Sequence, residues 1–238
     1  MGLLSENQKL FGQPTKRGFF CDDESIKYPF IENTVGEWTI VLCSIFIPLF
    51  VLICIEICHY SNTLRIKLTR CIKTISQLYS IYLLGFCLSG VVSELGKFTI
   101  GRLRPHFISV CNPNIDCSLE SNWGKYIENY TCSGNPNDIF EARLSFPSGH
   151  ACLSFYAAAY VVVYIQTSQK WGKYSLLKNL VQFLFILTAW YVSLTRVMDY
   201  WHHWGDILVG AVIGTFSAFA MIVFVTDIKL LEGRKTRK

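Results

Sequence analysis

Three short stretches of this chain carry cations, imidazoles and a carboxylate at spacings that suit chemistry on a phosphate. The first runs from Lys97 to Pro105 and includes Arg102 and Arg104. Lys97 and Arg104 are seven residues apart, two helical turns, so a continuing helix puts both on one face and turns Arg102 elsewhere. Cations held side by side repel unless an anion sits between them, although Glu94, one turn before Lys97, is another partner within reach. The second stretch is Pro147-Ser148-Gly149-His150, just ahead of an apolar run. Pro suits a first helical turn, a helix start offers free N–H groups to an anion, and Gly149 permits close approach to the backbone. The third is Arg196, His202 and Asp206, with His203 beside them. In a helix, His202 and Asp206 meet at i and i+4, and a carboxylate on one ring nitrogen leaves the other to act as nucleophile or base. His203 has no carboxylate at that spacing, so His202 is the candidate.

Each stretch also has an ordinary explanation, as snorkelling charges at a helix end or as a helix cap with an interfacial histidine. With Arg102 and His203 left aside, they supply three permanent cations, two histidines, a carboxylate and a helix start. That set suits phosphomonoester cleavage without a metal. Cations and N–H groups hold the phosphate oxygens, one histidine attacks phosphorus, and another donates a proton to the leaving alkoxide. Two histidines and an aspartate also suggest a metal site, but the crowding Lys and Arg and the lack of further ligands argue against a cation. No metal and no cofactor is expected.

The elements that must position these groups are membrane spans. The chain has 238 residues, 51% hydrophobic and 15% aromatic, with a mean hydropathy of +0.33. Its apolar residues come in long blocks that a soluble domain would have to bury completely. Five spans are read, at Val35 to Tyr60, Cys71 to Phe98, His150 to Thr167, Leu176 to Leu194 and Ile207 to Val225. Lipid cannot satisfy exposed backbone groups, so helices are expected. The fold class is all-α: a polytopic transmembrane helical bundle with five spans and a long extracytosolic loop. Residues 1–34 form a polar N-terminal segment on the extracytosolic side and include no apolar signal segment. Residues 35–228 form the membrane-embedded domain, and 229–238 a basic cytosolic tail.

Loop charge gives the orientation. Arg65, Lys67, Arg70 and Lys73 lie in the first loop, Lys170, Lys173 and Lys178 in the third, and Lys229, Arg234, Lys235, Arg237 and Lys238 in the tail. Alternating spans put all three groups on one side, the cytosol. The three polar stretches then share the opposite side, outside the cell or in a lumen. Net charge is +5, and no basic stripe interleaved with aromatics appears, so nucleic acid is not an expected partner.

A second signal agrees with this orientation. Asn129-Tyr130-Thr131 is a glycosylation sequon in the long loop, beside Cys111, Cys117 and Cys132. With Cys21, these allow three disulfide pairings that spacing does not separate. Cys43, Cys54, Cys58, Cys87 and Cys152 fall in spans, where small apolar packing is expected. Gly210 and Gly214 form a Gly-x-x-x-Gly suited to close helix contact. Internal packing is favoured for it, with a homo-oligomer as the other use.

These motifs resemble the type 2 phosphatidic acid phosphatase superfamily. The resemblance rests on Lys97 with Arg104-Pro105, on Pro147 to His150, and on Arg196 with His202 and Asp206. The stretches Arg17 to Cys21, Gly101 to Phe107, and Asp199-Tyr200 ahead of His202-His203-Trp204 are similar to its animal lipid phosphate phosphatases. What the resemblance implies is Mg²⁺-independent hydrolysis of phosphatidate, lysophosphatidate, ceramide 1-phosphate and sphingosine 1-phosphate in the plasma membrane, facing outward. It makes His202 the nucleophile that forms a phosphohistidine, Asp206 its orienting partner, and His150 the proton donor. Lys97, Arg104, Ser148, Gly149 and Arg196 would hold the phosphate. Thr195 stands where the family often has Ser, and Gly205 where a small polar residue is expected. The family typically spans six times against the five read here, and the span without a counterpart is the one that precedes Arg17 to Cys21.

Two other functions share these residues. A non-catalytic lipid-phosphate-binding protein would have lost a nucleophile, acid or cation, and none is lost here. A phosphatase for a soluble phosphate ester would carry the same three motifs, since they read only the phosphate.

Overall fold

The computed structural model describes residues 12–61, 68–168 and 171–225. Arg65, Lys67, Lys170, residues 1–11 and the basic tail at 229–238 lie outside the described residues. In chain order the elements are β1 (Phe19–Phe20), α1 (Glu37–Ser61), α2 (Leu68–Ile100), α3 (Phe107–Cys111), β2 (Tyr126–Ile127), α4 (Pro136–Glu141), α5 (Gly149–Ser168), α6 (Ser175–Met198) and α7 (Trp204–Ala220). The last helix continues as a π-helical turn over Met221–Val225. Five of these, α1, α2, α5, α6 and α7, are long and apolar enough to cross a membrane. Among the described residues the architecture is the expected helical one with five candidate spans, and one two-stranded antiparallel sheet pairs Phe19 with Ile127 and Phe20 with Tyr126.

The chain divides into two compact units. The second, residues 35–91, 149–193 and 210 onward, is a helical core. Leu52, Ile55, Leu78, Val161 and Ile165 are buried together, as are Tyr82, Phe86, Tyr156, Tyr160 and Ala218. Its buried and half-buried tyrosines place their hydroxyls on helix carbonyls. Tyr156 donates to Tyr82 O at 2.8 Å, Tyr160 to Leu78 O at 3.1 Å, and Tyr79 to Ile45 O at 3.0 Å. In an apolar interior, each hydroxyl left without a partner costs on the order of 1–3 kcal/mol. Trp38, Phe50, Leu176, Phe183 and Phe216 face outward, as side chains solvated by lipid do.

Gly214 settles one use of the Gly-x-x-x-Gly. A Cβ there would stand 2.0 Å from the Cys152 carbonyl oxygen, so the glycine lets α7 lie against α5 inside the unit. The cysteine expectation needs correction. Cys152 is buried, but Cys43, Cys54, Cys58 and Cys87 are exposed. A thiol is apolar enough to face lipid, so a span cysteine need not turn inward.

The first unit comprises residues 1–34, 92–148 and 194–209. Its core is Phe19, Cys21, Ile26, Leu103, Phe107, Cys111, Tyr130 and Ala142. Two disulfides join Cys21 to Cys117 and Cys111 to Cys132, choosing one pairing of the three. The described part of the N-terminal segment is woven into this unit. Thr15 N donates to Phe98 O at 3.0 Å and Thr15 Oγ1 to Thr99 O at 2.8 Å, while Arg17 Nε reaches Ile100 O at 2.5 Å. These bonds meet three carbonyls that the end of α2 leaves open.

Candidate active site

The end of α2 decides where the first motif points. Gly101 takes φ +60 and a Cβ on it would lie 2.1 Å from Thr15 O, so only glycine fits. The helix stops at Ile100, and Lys97 and Arg104 are not on one helix face as a continuing helix would have it. Arg104 instead comes from the loop that follows, where its N–H donates to Ala142 O at 2.8 Å. Its guanidinium is buried. Nη2 donates to Glu141 Oε2 at 2.8 Å and to Leu144 O at 3.4 Å, and Cζ lies 4.5 Å above the Trp201 ring. Nε and Nη1 are buried with no hydrogen-bond partner among the described residues. Lys97 Nζ pairs with Glu94 Oε1 at 2.6 Å, the alternative partner, and Glu141 and Arg104 are the next charges around it.

The third motif runs from the last turn of α6, which holds Arg196, through a turn that holds His202, into the first turn of α7, which holds Asp206. Tyr200 takes φ +59, and the tight turn brings both Trp201 N and His202 N onto the Arg196 carbonyl, at 3.0 and 3.1 Å. Arg196 is buried. Nη2 meets Asp199 Oδ2 at 2.8 Å and Nη1 meets Asn33 Oδ1. Asp199 in turn accepts from Thr34 N and Thr34 Oγ1 at 2.8 and 2.9 Å. The nearby Trp201 Nε1 donates to Ile31 O at 2.8 Å. The strap at 31–34 therefore braces the turn that carries His202.

His202 and Asp206 do not meet as the i, i+4 spacing suggested. The helix begins only at Trp204, so His202 is outside it. Its Nδ1 is 3.9 Å from Asp206 Oδ2, too far for a hydrogen bond, and 2.6 Å from Ser145 O. Asp206 is wholly buried and accepts from Arg102 Nη1 at 2.6 Å, Ser145 Oγ at 2.6 Å and His203 N at 3.0 Å. Arg102, expected to point away, is the ion-pair partner of that carboxylate. Neither Arg102 nor Ser145 carried a signal of its role. Arg102 was judged on a helix that ends before it, and Ser145 presents a backbone carbonyl that any residue has.

The second motif straddles the unit boundary. Ser148 closes the first unit, buried, with its N–H on Asp206 O at 3.1 Å. Ahead of it, Pro147 lies against Gly96, where a Cβ would come within 2.6 Å of Pro147 Cδ. Gly149 and His150 open α5 in the second unit, where His150 Nε2 is 3.1 Å from Val35 O. Pro147 precedes the helix rather than occupying its first turn. Asn129 is exposed. Among the described residues, no group of three or more His, Cys, Asp or Glu is gathered as metal ligands would be.

The matched family model is that of the PAP2 superfamily, over residues 78–229, which include every residue of the three motifs. The chain belongs to the PAP2 superfamily. It is 40% identical to a Drosophila melanogaster protein named "Putative phosphatidate phosphatase", over 92% of this chain and 64% of that protein. It is 39% identical to rat phospholipid phosphatase 1, over 94% of this chain and 81% of the relative. It is 34% identical to human phospholipid phosphatase 2, over 92% and 76%. The chain thus spans about two thirds of the length of the fly protein. No solved structure matches it.

One more histidine of this PAP2 chain stands beside the cations. His106 is buried, with Nδ1 2.9 Å from Tyr200 O and its ring edge-on to Phe30 and Trp201. Burial first, then the Arg104 charge, pushes its pKa down to about 4. An unfolded His titrates near 6.5, so between pH 6.5 and 4 the unfolded chain holds a proton that the folded chain lacks. Stability therefore falls as pH drops through that window, by roughly 2 kcal/mol at pH 5, and is flat above pH 7. The expected result is a melting temperature in detergent that declines from pH 7 to pH 5, with a shallower decline in His106→Gln. Equal slopes in the two proteins would count against this origin of the acid sensitivity.

Proposed function

We propose that this protein hydrolyses lipid phosphate monoesters, among them phosphatidate, lysophosphatidate, sphingosine 1-phosphate and ceramide 1-phosphate. The observation that carries the reading is the buried Arg104 guanidinium, whose Nε and Nη1 have no protein partner among the described residues. Donors desolvated in this way are costly unless an acceptor arrives, and a phosphate oxygen is the acceptor such a fork suits. Arg104 and His202 are held by adjacent carbonyls, Leu144 O and Ser145 O. Contact with neighbouring residues of one segment supports assigning both side chains to one site. The lipid half of the reading is supported by five apolar helices and by relatives named as phospholipid phosphatases, which are hydrolases of phosphate monoesters.

In this mechanism His202 Nε2 attacks phosphorus as the P–O ester bond breaks, and the leaving alkoxide takes a proton from His150. Water then attacks the phosphohistidine while His150 recovers a proton from it, which releases phosphate and restores both rings. Lys97, Arg104, Ser148, Gly149 and Arg196 hold the equatorial oxygens, whose charge grows in transfer. Three permanent cations in these roles make a divalent metal unnecessary. The site faces outside the cell or into a lumen, with the plasma membrane as the expected location. Exposed Asn129 and the two disulfides of the first unit are consistent with an oxidising side.

The test is phosphate release from phosphatidate by the full chain in detergent micelles with EDTA, beside glucose 6-phosphate. Release from the lipid that EDTA leaves intact, and little from the sugar, is expected. A folded sample that releases nothing, or that needs added Mg²⁺, overturns the reading.

A further inference from the structure

We propose that Ser145 positions the His202 imidazole, and that Asp206 acts on His202 through Ser145 instead of by contact. The inference rests on the phosphatase reading and assigns a role within the same site. Ser145 is wholly buried and uses every polar group it has. Its N–H donates to Arg102 O at 3.0 Å, its Oγ donates to Asp206 Oδ2 at 2.6 Å, and its carbonyl lies 2.6 Å from His202 Nδ1. A carbonyl can only accept, so Nδ1 carries the hydrogen and the ring's lone pair is on Nε2. That is the tautomer an Nε2 nucleophile needs.

Asp206 is poorly placed to set this tautomer itself. It is 3.9 Å from Nδ1, and both carboxylate oxygens are engaged, Oδ1 by Arg102 and Oδ2 by Ser145 and the His203 N–H. Its charge is matched by Arg102 across 2.6 Å. What Asp206 controls is Ser145. Through Oδ2 it fixes the hydroxyl, and its own carbonyl fixes the N–H of Ser148 three residues on. The segment between them is pinned at both ends, and the Ser145 carbonyl is aimed at Nδ1.

The experiment is ¹⁵N NMR of histidine-labelled full chain in detergent micelles, with the His202 signals assigned by their loss in His202→Ala. The expected wild-type result is a neutral ring protonated on Nδ1. Ser145→Thr, which keeps the hydroxyl, should retain that tautomer and stay within about threefold of wild-type kcat. Ser145→Ala should mix the tautomers and lower kcat about 10- to 100-fold with KM unchanged, as loss of an orienting partner does. The double variant Ser145→Ala/Asp206→Asn should be no slower than the slower single variant, because the two act in series. A wild-type ring protonated on Nε2, a tautomer indifferent to Ser145→Ala, or losses that multiply would each overturn the proposal. If Ser145→Ala does not fold, the wild-type and Ser145→Thr spectra decide. The spectra need no turnover, so a chain that cleaves no phosphate ester fails the phosphatase reading while the tautomer still judges Ser145.

Discussion

His202→Ala is expected to abolish turnover, lowering kcat by roughly 10⁴-fold or more, as removal of a nucleophile does in other covalent enzymes. It should also remove every trace of phosphoenzyme. The size of the effect follows from the proposed role: with the imidazole gone, the attacking nitrogen is gone with it. His203 is next in sequence, but its Nε2 is 3.0 Å from Leu103 O, and the carbonyl fixes the hydrogen there. Burial, with Arg102 nearby, lowers the His203 pKa and keeps that ring neutral. His150→Ala should behave differently. Loss of a leaving-group acid costs about 10²- to 10⁴-fold, and the nucleophile stays in place. Acid-quenched gels with ³²P-labelled lipid phosphate distinguish the two variants. Label surviving on His202→Ala protein would show that the nucleophile lies elsewhere.

Much of the framework was legible in the sequence because lipid enforces it. A helix solvated by hydrocarbon must be apolar along its whole length, so α1, α2, α5, α6 and α7 announce themselves without any periodic pattern. Their ends were less legible. The fourth apolar run stops at Leu194, yet α6 continues to Met198, because Thr195 and Arg196 extend the helix while finding partners of their own. The first motif failed for a related reason. A seven-residue spacing was read on a helix, and one glycine at φ +60 ended that helix between Lys97 and Arg104. The third failed when α7 began two residues after His202. Side-chain types named the groups, but backbone turns decided which of them touch. The strap at 31–34 carries no pattern at all, since its work is done by the short polar side chains of Asn33 and Thr34 and by backbone groups that reach far along the chain.

Arg104→Lys is expected to lower kcat/KM for phosphatidate about 100-fold, while the melting temperature moves little. The substitution keeps the charge, so Glu141, 2.8 Å from Nη2, retains a cation to pair with and no buried carboxylate is stranded. The ring of Trp201 keeps a cation to face as well. What is lost is the spread of donors around the guanidinium. Nε and Nη1 are the donors without hydrogen-bond partners among the described residues, and an ammonium that must serve Glu141 cannot also present N–H groups in both of those directions. Two charge-assisted hydrogen bonds at about 1.5 kcal/mol each give roughly 3 kcal/mol, or about two powers of ten. Vanadate inhibition should weaken in parallel, because the missing bonds are made to the phosphoryl group and not to the lipid. Arg143→Lys is the control. Arg143 lies over the rings of Phe107 and Tyr130 and should leave kcat/KM near the wild-type value. An Arg104→Lys protein within threefold of wild type would mean that the buried donors are satisfied by something other than substrate, and the phosphate would have to be held without them.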